Sequence, residues 1–235
     1  YLKEDAGKLL VGVFEPNAKP AFTNNHRVPE DFSFGELPED FDHFEPYLIN
    51  AMNRIPSLEK SGIRKFFNGP ESFTPDTNYL LGETPEVKNL YVCGGFNSIG
   101  IVSSGGAGKI TAEWMINGEI YEDVFSLDIS RFEKFHSELE FITERVTETL
   151  GNLYAMHWPY KQLTTSRNIK LLPYHNHLKN RGACFGQSAA YERPMWYSLN
   201  GQDANYIYSY GYQNWYESAK YETINARKNV ALFEL

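Results

Sequence analysis

Two stretches of the chain hold residue types that could do chemistry. The first is Asn68-Gly69-Pro70-Glu71-Ser72. A carboxylate there, Glu71, could orient a cationic amine; the plain alternative is a solvated loop carboxylate. The second covers residues 89–119. An apolar run, Leu90-Tyr91-Val92-Cys93, meets Gly94-Gly95. An unusual loop follows, Phe96-Asn97-Ser98-Ile99-Gly100-Ile101-Val102. Ser103-Ser104-Gly105-Gly106-Ala107-Gly108-Lys109 then lead into an amphipathic helix ending near Asn117-Gly118. Strand, glycine turn and helix N-terminus together aim free backbone N–H groups and the positive end of a helix dipole at one point. That arrangement suits an electron-rich ligand.

Other chemistries fail on spacing. Gly108-Lys109 resembles the end of a phosphate loop, but Ser103 stands where the first glycine is needed. Ile110 stands where a Mg²⁺-binding hydroxyl is needed. No G-x-G-x-x-G opens a βαβ unit, so a self-contained dinucleotide domain is not in this chain. Six histidines are present: His26, His43, His136, His157, His175 and His177. His175 and His177 could share a face only on a strand, and no third ligand is near, so no metal site is expected. Ser103, Ser104 and His136 do not make a triad, because no nucleophile elbow frames either serine. Cys93 and Cys184 lie far apart without metal-ligand neighbours and read as free thiols in a reducing compartment.

The elements that must position these residues follow from periodicity. Residues 1–3 and 8–14 read as a β-hairpin, with Gly7 in the turn and a second strand apolar enough to be central. Residues 17–38 read as a long loop. Phe41, Phe44, Leu48, Met52 and Ile55 recur at helical spacing, with Pro46 inside the pattern and Pro56 either ending it or opening a short second helix. Residues 62–67 and 79–83 read as strands, with the turn-rich loop 68–76 between them. A helix over 138–150 should bury Leu139, Ile142, Val146 and Leu150. Residues 178–185 and 186–191 read as a strand-and-loop module, and residues 215–228 as a helix.

Composition bounds the partners. The chain has 235 residues, 42% hydrophobic and 22% charged, as in ordinary soluble protein. A net charge of −8 and the lack of a basic stripe argue against nucleic acid. No run reaches the roughly 18 apolar residues of a membrane span. Sixteen Tyr and sixteen Phe residues serve core packing or line a cavity for a flat ligand. The first residue is not Met and the chain stops in an apolar segment, so it is expected to be a piece of a longer protein.

At this point the residues become specific. NGPESFTPD (68–76), LLGETPEVKNLYVCGGFNSIGIVSSGGAGK (80–109), AEWMINGE (112–119) and LDISRF (127–132) resemble the FAD domain of dimethylglycine and sarcosine dehydrogenases, in its C-terminal part. Residues 144–197 look like that family's central domain, through Tyr-Ala-Met-His-Trp-Pro-Tyr, Ser166-Arg167, Arg181-Gly182-Ala183 and Glu192-Arg193-Pro194. Residues 212–235 resemble the opening of its folate-binding domain, akin to the aminomethyltransferase (T-protein) of the glycine cleavage system.

The resemblance implies an α/β and α+β chain in three parts. Residues 1–128 would be the C-terminal part of an FAD-binding, amine-oxidase-type fold. Residues 129–197 would be the central domain, and 198–235 the truncated start of an aminomethyltransferase-like domain. It implies FAD, contacted by Gly69 and by Gly95, Phe96, Asn97, Ser98, Ile99, Gly100 and Ile101, with Glu71 as the one candidate for a catalytic role. It implies an N-methylated amino acid as substrate, and an electron-transfer flavoprotein or oxygen as acceptor. The one-carbon unit would go to tetrahydrofolate or leave as formaldehyde. The compartment would be a bacterial cytoplasm or a mitochondrial matrix. The dinucleotide motif, the histidine that can hold flavin covalently and most of the folate domain are missing from this chain, so its own FAD site is expected to be partial. Two rivals remain. One is a non-catalytic relative, the regulatory subunit of pyruvate dehydrogenase phosphatase. The other is a pure aminomethyltransferase, against which residues 80–109 argue.

Overall fold

The computed structural model describes residues 1–23 and 27–233; His26 and the last two residues of the apolar end lie outside them. The described chain divides into two compact units, Tyr1–Tyr154 and Ala155–Leu235. Each mixes helices with short strands.

The first unit opens with a hairpin, β1 (Leu2–Asp5) paired antiparallel with β2 (Lys8–Val11). Gly7 takes φ +74 in the turn, a value that suits glycine. The second strand stops at Val11 rather than running to Phe14. Among the described residues it pairs only with β1, so it is not central. Phe14 instead packs on Tyr154, ring centroids 4.7 Å apart.

Helix α1 (Phe41–Arg54) forms where the spacing predicts it. Asp40 caps it by accepting the His43 N–H at 3.2 Å, and Pro46 sits inside. Pro56 both ends α1 and opens a 3-10 turn, Pro56–Lys60. Residues 62–67 form no strand, because no neighbouring segment offers them a ladder. They lie against α1 instead, with the Phe66 ring 4.4 Å from Phe41 and 5.5 Å from Phe44.

The core of this unit is β3 (Leu80–Glu83) and β4 (Tyr91–Gly94), antiparallel, with α2 (Gly100–Asn117) against them. Leu81 is fully buried, and its N–H bonds the Leu127 carbonyl at 2.8 Å. Gly82 has φ +105, and a Cβ there would lie 2.6 Å from the Trp114 ring. Only glycine lets α2 lie this close to β3. Helix α2 starts at Gly100, so Gly105, Gly106 and Gly108 lie within it, exposed, rather than ahead of it. It is not amphipathic in the expected sense: Ala107 and Thr111 are buried, yet Ile101, Val102, Met115 and Ile116 are exposed. It ends as predicted, at Gly118 in the left-handed conformation.

Helix α3 (Leu139–Asn152) buries Phe141, Arg145 and Thr149 rather than the predicted aliphatic line. Ile142, Val146 and Leu150 are half-buried and Leu139 is exposed. Arg145 spends its apolar stem and cationic head on the Phe141 ring, 5.2 Å away, and so takes an inner position.

In the second unit, β5 (Lys170–Leu171), β7 (Tyr191–Tyr197) and β6 (Ala183–Ser188) form one sheet in that order. Residues 175–180, expected in part as strand, form a short helix, α4 (His175–Asn180). Helix α5 (Tyr216–Lys228) follows the aromatic loop as expected. Ala183, Cys184 and Trp196 are the buried apolar residues. Two motifs predicted from sequence meet here: Arg167 donates to Glu192 through Nε at 2.8 Å and again through a second nitrogen. Asn168 N–H adds a third bond at 2.8 Å.

Candidate functional site

The loop between β4 and α2 is held from inside. Asn97 is 1% exposed. Its Oδ1 accepts the Thr74 N–H at 2.8 Å, and its Nδ2 donates to the Gly95 carbonyl at 2.6 Å and to the Thr74 hydroxyl at 3.1 Å. Gly95, Asn97 and Ser98 have φ of +64, +48 and +67. Asparagine tolerates this region because its short side chain can bond local backbone, as it does here. Phe96 stacks on Tyr79 with centroids 4.8 Å apart.

This loop delivers the chain into α2 without a side-chain cap at Ile99. The first ladder bond is Ser103 N–H to the Ile99 carbonyl, at 3.0 Å. The amides of Gly100, Ile101 and Val102 therefore precede the ladder, with the positive end of the helix dipole behind them. Ile101 is 98% exposed. An uncapped N-terminus of an 18-residue helix, preceded by left-handed backbone, fits an anionic or electron-rich ring edge.

The two predicted stretches come together at this point. Ser98 Oγ donates to Glu71 Oε2 at 2.8 Å, across 27 residues of sequence. Glu71 is exposed. Gly69 is also exposed, and a Cβ on it would meet nothing within 4 Å. Its neighbour Asn68 ties the loop to residues 37–38, through Leu37 N–H to the Asn68 carbonyl and Asn68 Nδ2 to the Pro38 carbonyl, each at 2.6 Å.

Sequence reasoning passed over three supports of the site. Thr74 and Asp76 lie in the loop after Glu71, and Arg131 in the LDISRF run. Arg131 grips Asp76 with Nε at 2.7 Å and Nη2 at 3.0 Å. All three sit in runs singled out for their resemblance, but no spacing rule links positions 55 residues apart.

Among the described residues the histidines do not assemble as metal ligands. His175 is buried against Phe185, centroids 4.2 Å apart, and His177 is exposed on the same helical turn. Among the described residues no three His, Cys, Asp or Glu gather as metal ligands, and no helix is long and apolar enough to cross a membrane. In the second unit, burial works to raise the Glu192 carboxyl, but bonds from Arg167 and Asn168 prevail and hold it below its usual range. Burial pushes the Cys184 thiol up to about 11 and the Tyr206 phenol up to about 12.

Comparison with known proteins finds two family models along the chain. Residues 1–114 match the family model of the FAD dependent oxidoreductase, and residues 117–171 that of the FAD dependent oxidoreductase central domain. The whole chain is 42% identical to a 4-methylaminobutanoate oxidase (formaldehyde-forming) of Paenarthrobacter nicotinovorans, covering 28% of that protein. Over 92% of its length it is 36% identical to the mitochondrial sarcosine dehydrogenase of Mus musculus, covering 23% of it. Over 86% of its length it is 37% identical to the mitochondrial pyruvate dehydrogenase phosphatase regulatory subunit of Mus musculus, again covering 23%. The chain thus spans about a quarter of the length of the curated relatives it matches.

Proposed function

The chain belongs to the FAD-dependent oxidoreductase family, and on that premise we propose that it is the flavin-facing part of an enzyme that oxidatively demethylates N-methyl amino acids. The observation that carries this reading is the meeting of two loops at the uncapped start of α2. Asn97 bonds Thr74, and Ser98 bonds Glu71, directly ahead of the free amides of Gly100, Ile101 and Val102. A flavin bound here would supply a hydride acceptor whose pyrimidine edge becomes negatively charged on reduction. The amides and dipole of α2 would hold that edge and stabilise the charge. Asn97 keeps the backbone of residues 95–98 in the left-handed turns that aim those amides. Glu71, held by Ser98, would orient the cationic amine of the substrate. Hydride transfer to a cofactor needs positioning more than proton chemistry from the protein, so Glu71 acts by placement.

The remainder of the reading concerns the longer protein. FAD would be completed by a dinucleotide-binding segment outside this chain. Residues 129–197 would form the central domain, and residues 198–235 would begin a folate-binding domain that takes the one-carbon unit, failing which formaldehyde leaves. The electrons would pass to an electron-transfer flavoprotein or to oxygen. The compartment follows the host, cytoplasm in bacteria or mitochondrial matrix in eukaryotes.

A regulatory, non-catalytic role is the second reading, favoured by the 37% identity to the phosphatase subunit. One experiment separates them. The full-length protein should purify yellow, and anaerobic addition of sarcosine, dimethylglycine or 4-methylaminobutanoate should bleach the flavin. A colourless protein that takes up no FAD would end the enzyme reading.

A further inference from the structure

Arg131, named above as a support of the site, anchors the turn that precedes it. Its guanidinium grips both sides of one turn: Nε and Nη2 bond the Asp76 carboxylate at 2.7 and 3.0 Å, and Nη2 also bonds the Asn78 carbonyl at 2.8 Å. Nη1 returns to the Asp128 carbonyl at 3.1 Å, and Phe132 covers the cation at 4.2 Å. The side chain is 8% exposed. Between Asp76 and Asn78 stands Thr77, with φ +61. A β-branched residue resists that conformation and persists in it only where its surroundings over-determine it.

From this turn a chain of bonds leads to the proposed site. The Asn78 carbonyl that Arg131 binds also accepts the Thr74 hydroxyl at 2.8 Å. Thr74 in turn accepts from Asn97 Nδ2 at 3.1 Å and gives its N–H to Asn97 Oδ1 at 2.8 Å. Asn97 holds the Gly95 carbonyl at 2.6 Å.

We propose that Arg131 is a positioning residue for the flavin: by clamping the left-handed turn at Thr77 it fixes Thr74 and Asn97, and through them the backbone of residues 95–98 that aims the α2 amides. This rests on the reading of that backbone as flavin-facing. The planar fork is essential, because it spans a carboxylate and a carbonyl at once. A lysine ammonium reaches only one of them well.

The test uses the full-length flavoprotein and two variants. Arg131→Met removes the clamp. Thr74→Val leaves the Arg131–Asp76 pair in place and removes the hydroxyl link, so it carries the test should Arg131→Met fail to fold. In flavin-free protein each variant should speed amide exchange over residues 95–102 by about ten-fold, the size expected when one neutral hydrogen bond of the relay is lost. In the same variants the FAD dissociation constant should rise by about ten-fold, and the midpoint potential of bound flavin should fall, since the anionic reduced form loses aligned donors. Arg131→Lys should recover only part of either effect. Unchanged exchange over residues 95–102 in both variants would overturn the relay itself. Faster exchange with unchanged FAD affinity and potential would overturn the flavin half of the proposal, and with it the reading on which it rests.

Discussion

Replacing Asn97 by alanine removes the buried side chain that ties Thr74 to the loop between β4 and α2. The Thr74 N–H, within a residue 5% exposed, loses its acceptor at 2.8 Å. Leaving a buried donor unpaired costs about 1–3 kcal/mol. The Gly95 carbonyl loses its donor at 2.6 Å; being half-buried it can turn to water, so this adds about 0.5–1 kcal/mol. Alanine must also hold φ +48, a left-handed value that costs a residue with a Cβ about 1 kcal/mol. The total is about 2.5–5 kcal/mol. Urea denaturation of the protein, followed by a probe in the first unit, measures it. Asn97→Gly separates the terms, because glycine keeps the hydrogen-bond losses but relieves the backbone. It should be less destabilised than Asn97→Ala by about 1 kcal/mol. A cost for Asn97→Ala below about 1 kcal/mol would refute the reasoning, since a mere solvated loop asparagine costs that little.

Other expectations follow from the same structure. Gly82→Ala should destabilise the first unit by about 2–4 kcal/mol through overpacking and strain, because its Cβ would meet Trp114 at 2.6 Å with φ +105; thermal melts should show partial rescue by Trp114→Leu. Glu192→Gln should cost about 3 kcal/mol by leaving the Arg167 charge without its partner. The Glu192 carboxyl titrates below its usual range when folded, so its contribution is full above the ordinary glutamate value of 4.5 and is lost as pH falls through the lowered one. Acid unfolding of the Glu192→Gln variant should accordingly lose part of that limb. Cys93 is exposed and should be alkylated at once in native protein, whereas Cys184, buried and pushed up to about 11, should react only on unfolding. For Cys184 the sign is reversed: the folded state loses stability as pH climbs from the usual thiol value of 9.0 toward 11, and a mass-spectrometric labelling series would follow it.

The sequence made the elements legible wherever local signals sufficed. Pro56 ends α1, Gly7 turns the first hairpin and Gly118 stops α2, each acting on its immediate neighbours. Residues 62–67 misled because a strand needs a partner edge, and periodicity in one segment is silent about its neighbours. On α3 the aliphatic spacing misled because Arg145 can lie inward along an aromatic ring while its head finds partners. Glycines 105, 106 and 108 read as a turn, yet α2 begins at Gly100, where left-handed residues 97 and 98 have already reversed the chain. The site was legible as two separate stretches. Their junction at Ser98–Glu71 and Asn97–Thr74 was not, because side-chain bonds across 23 or 27 residues leave no periodic trace.

The central claim is that the α2 N-terminus meets the flavin. Hydrogen exchange of the full-length protein, with and without FAD, tests it most directly. The account predicts slower exchange on FAD binding at the amides of residues 95–102, with Gly100, Ile101 and Val102 protected most, because they have no partner in the helix ladder. FAD binding that protects other segments and leaves these amides unchanged would contradict it.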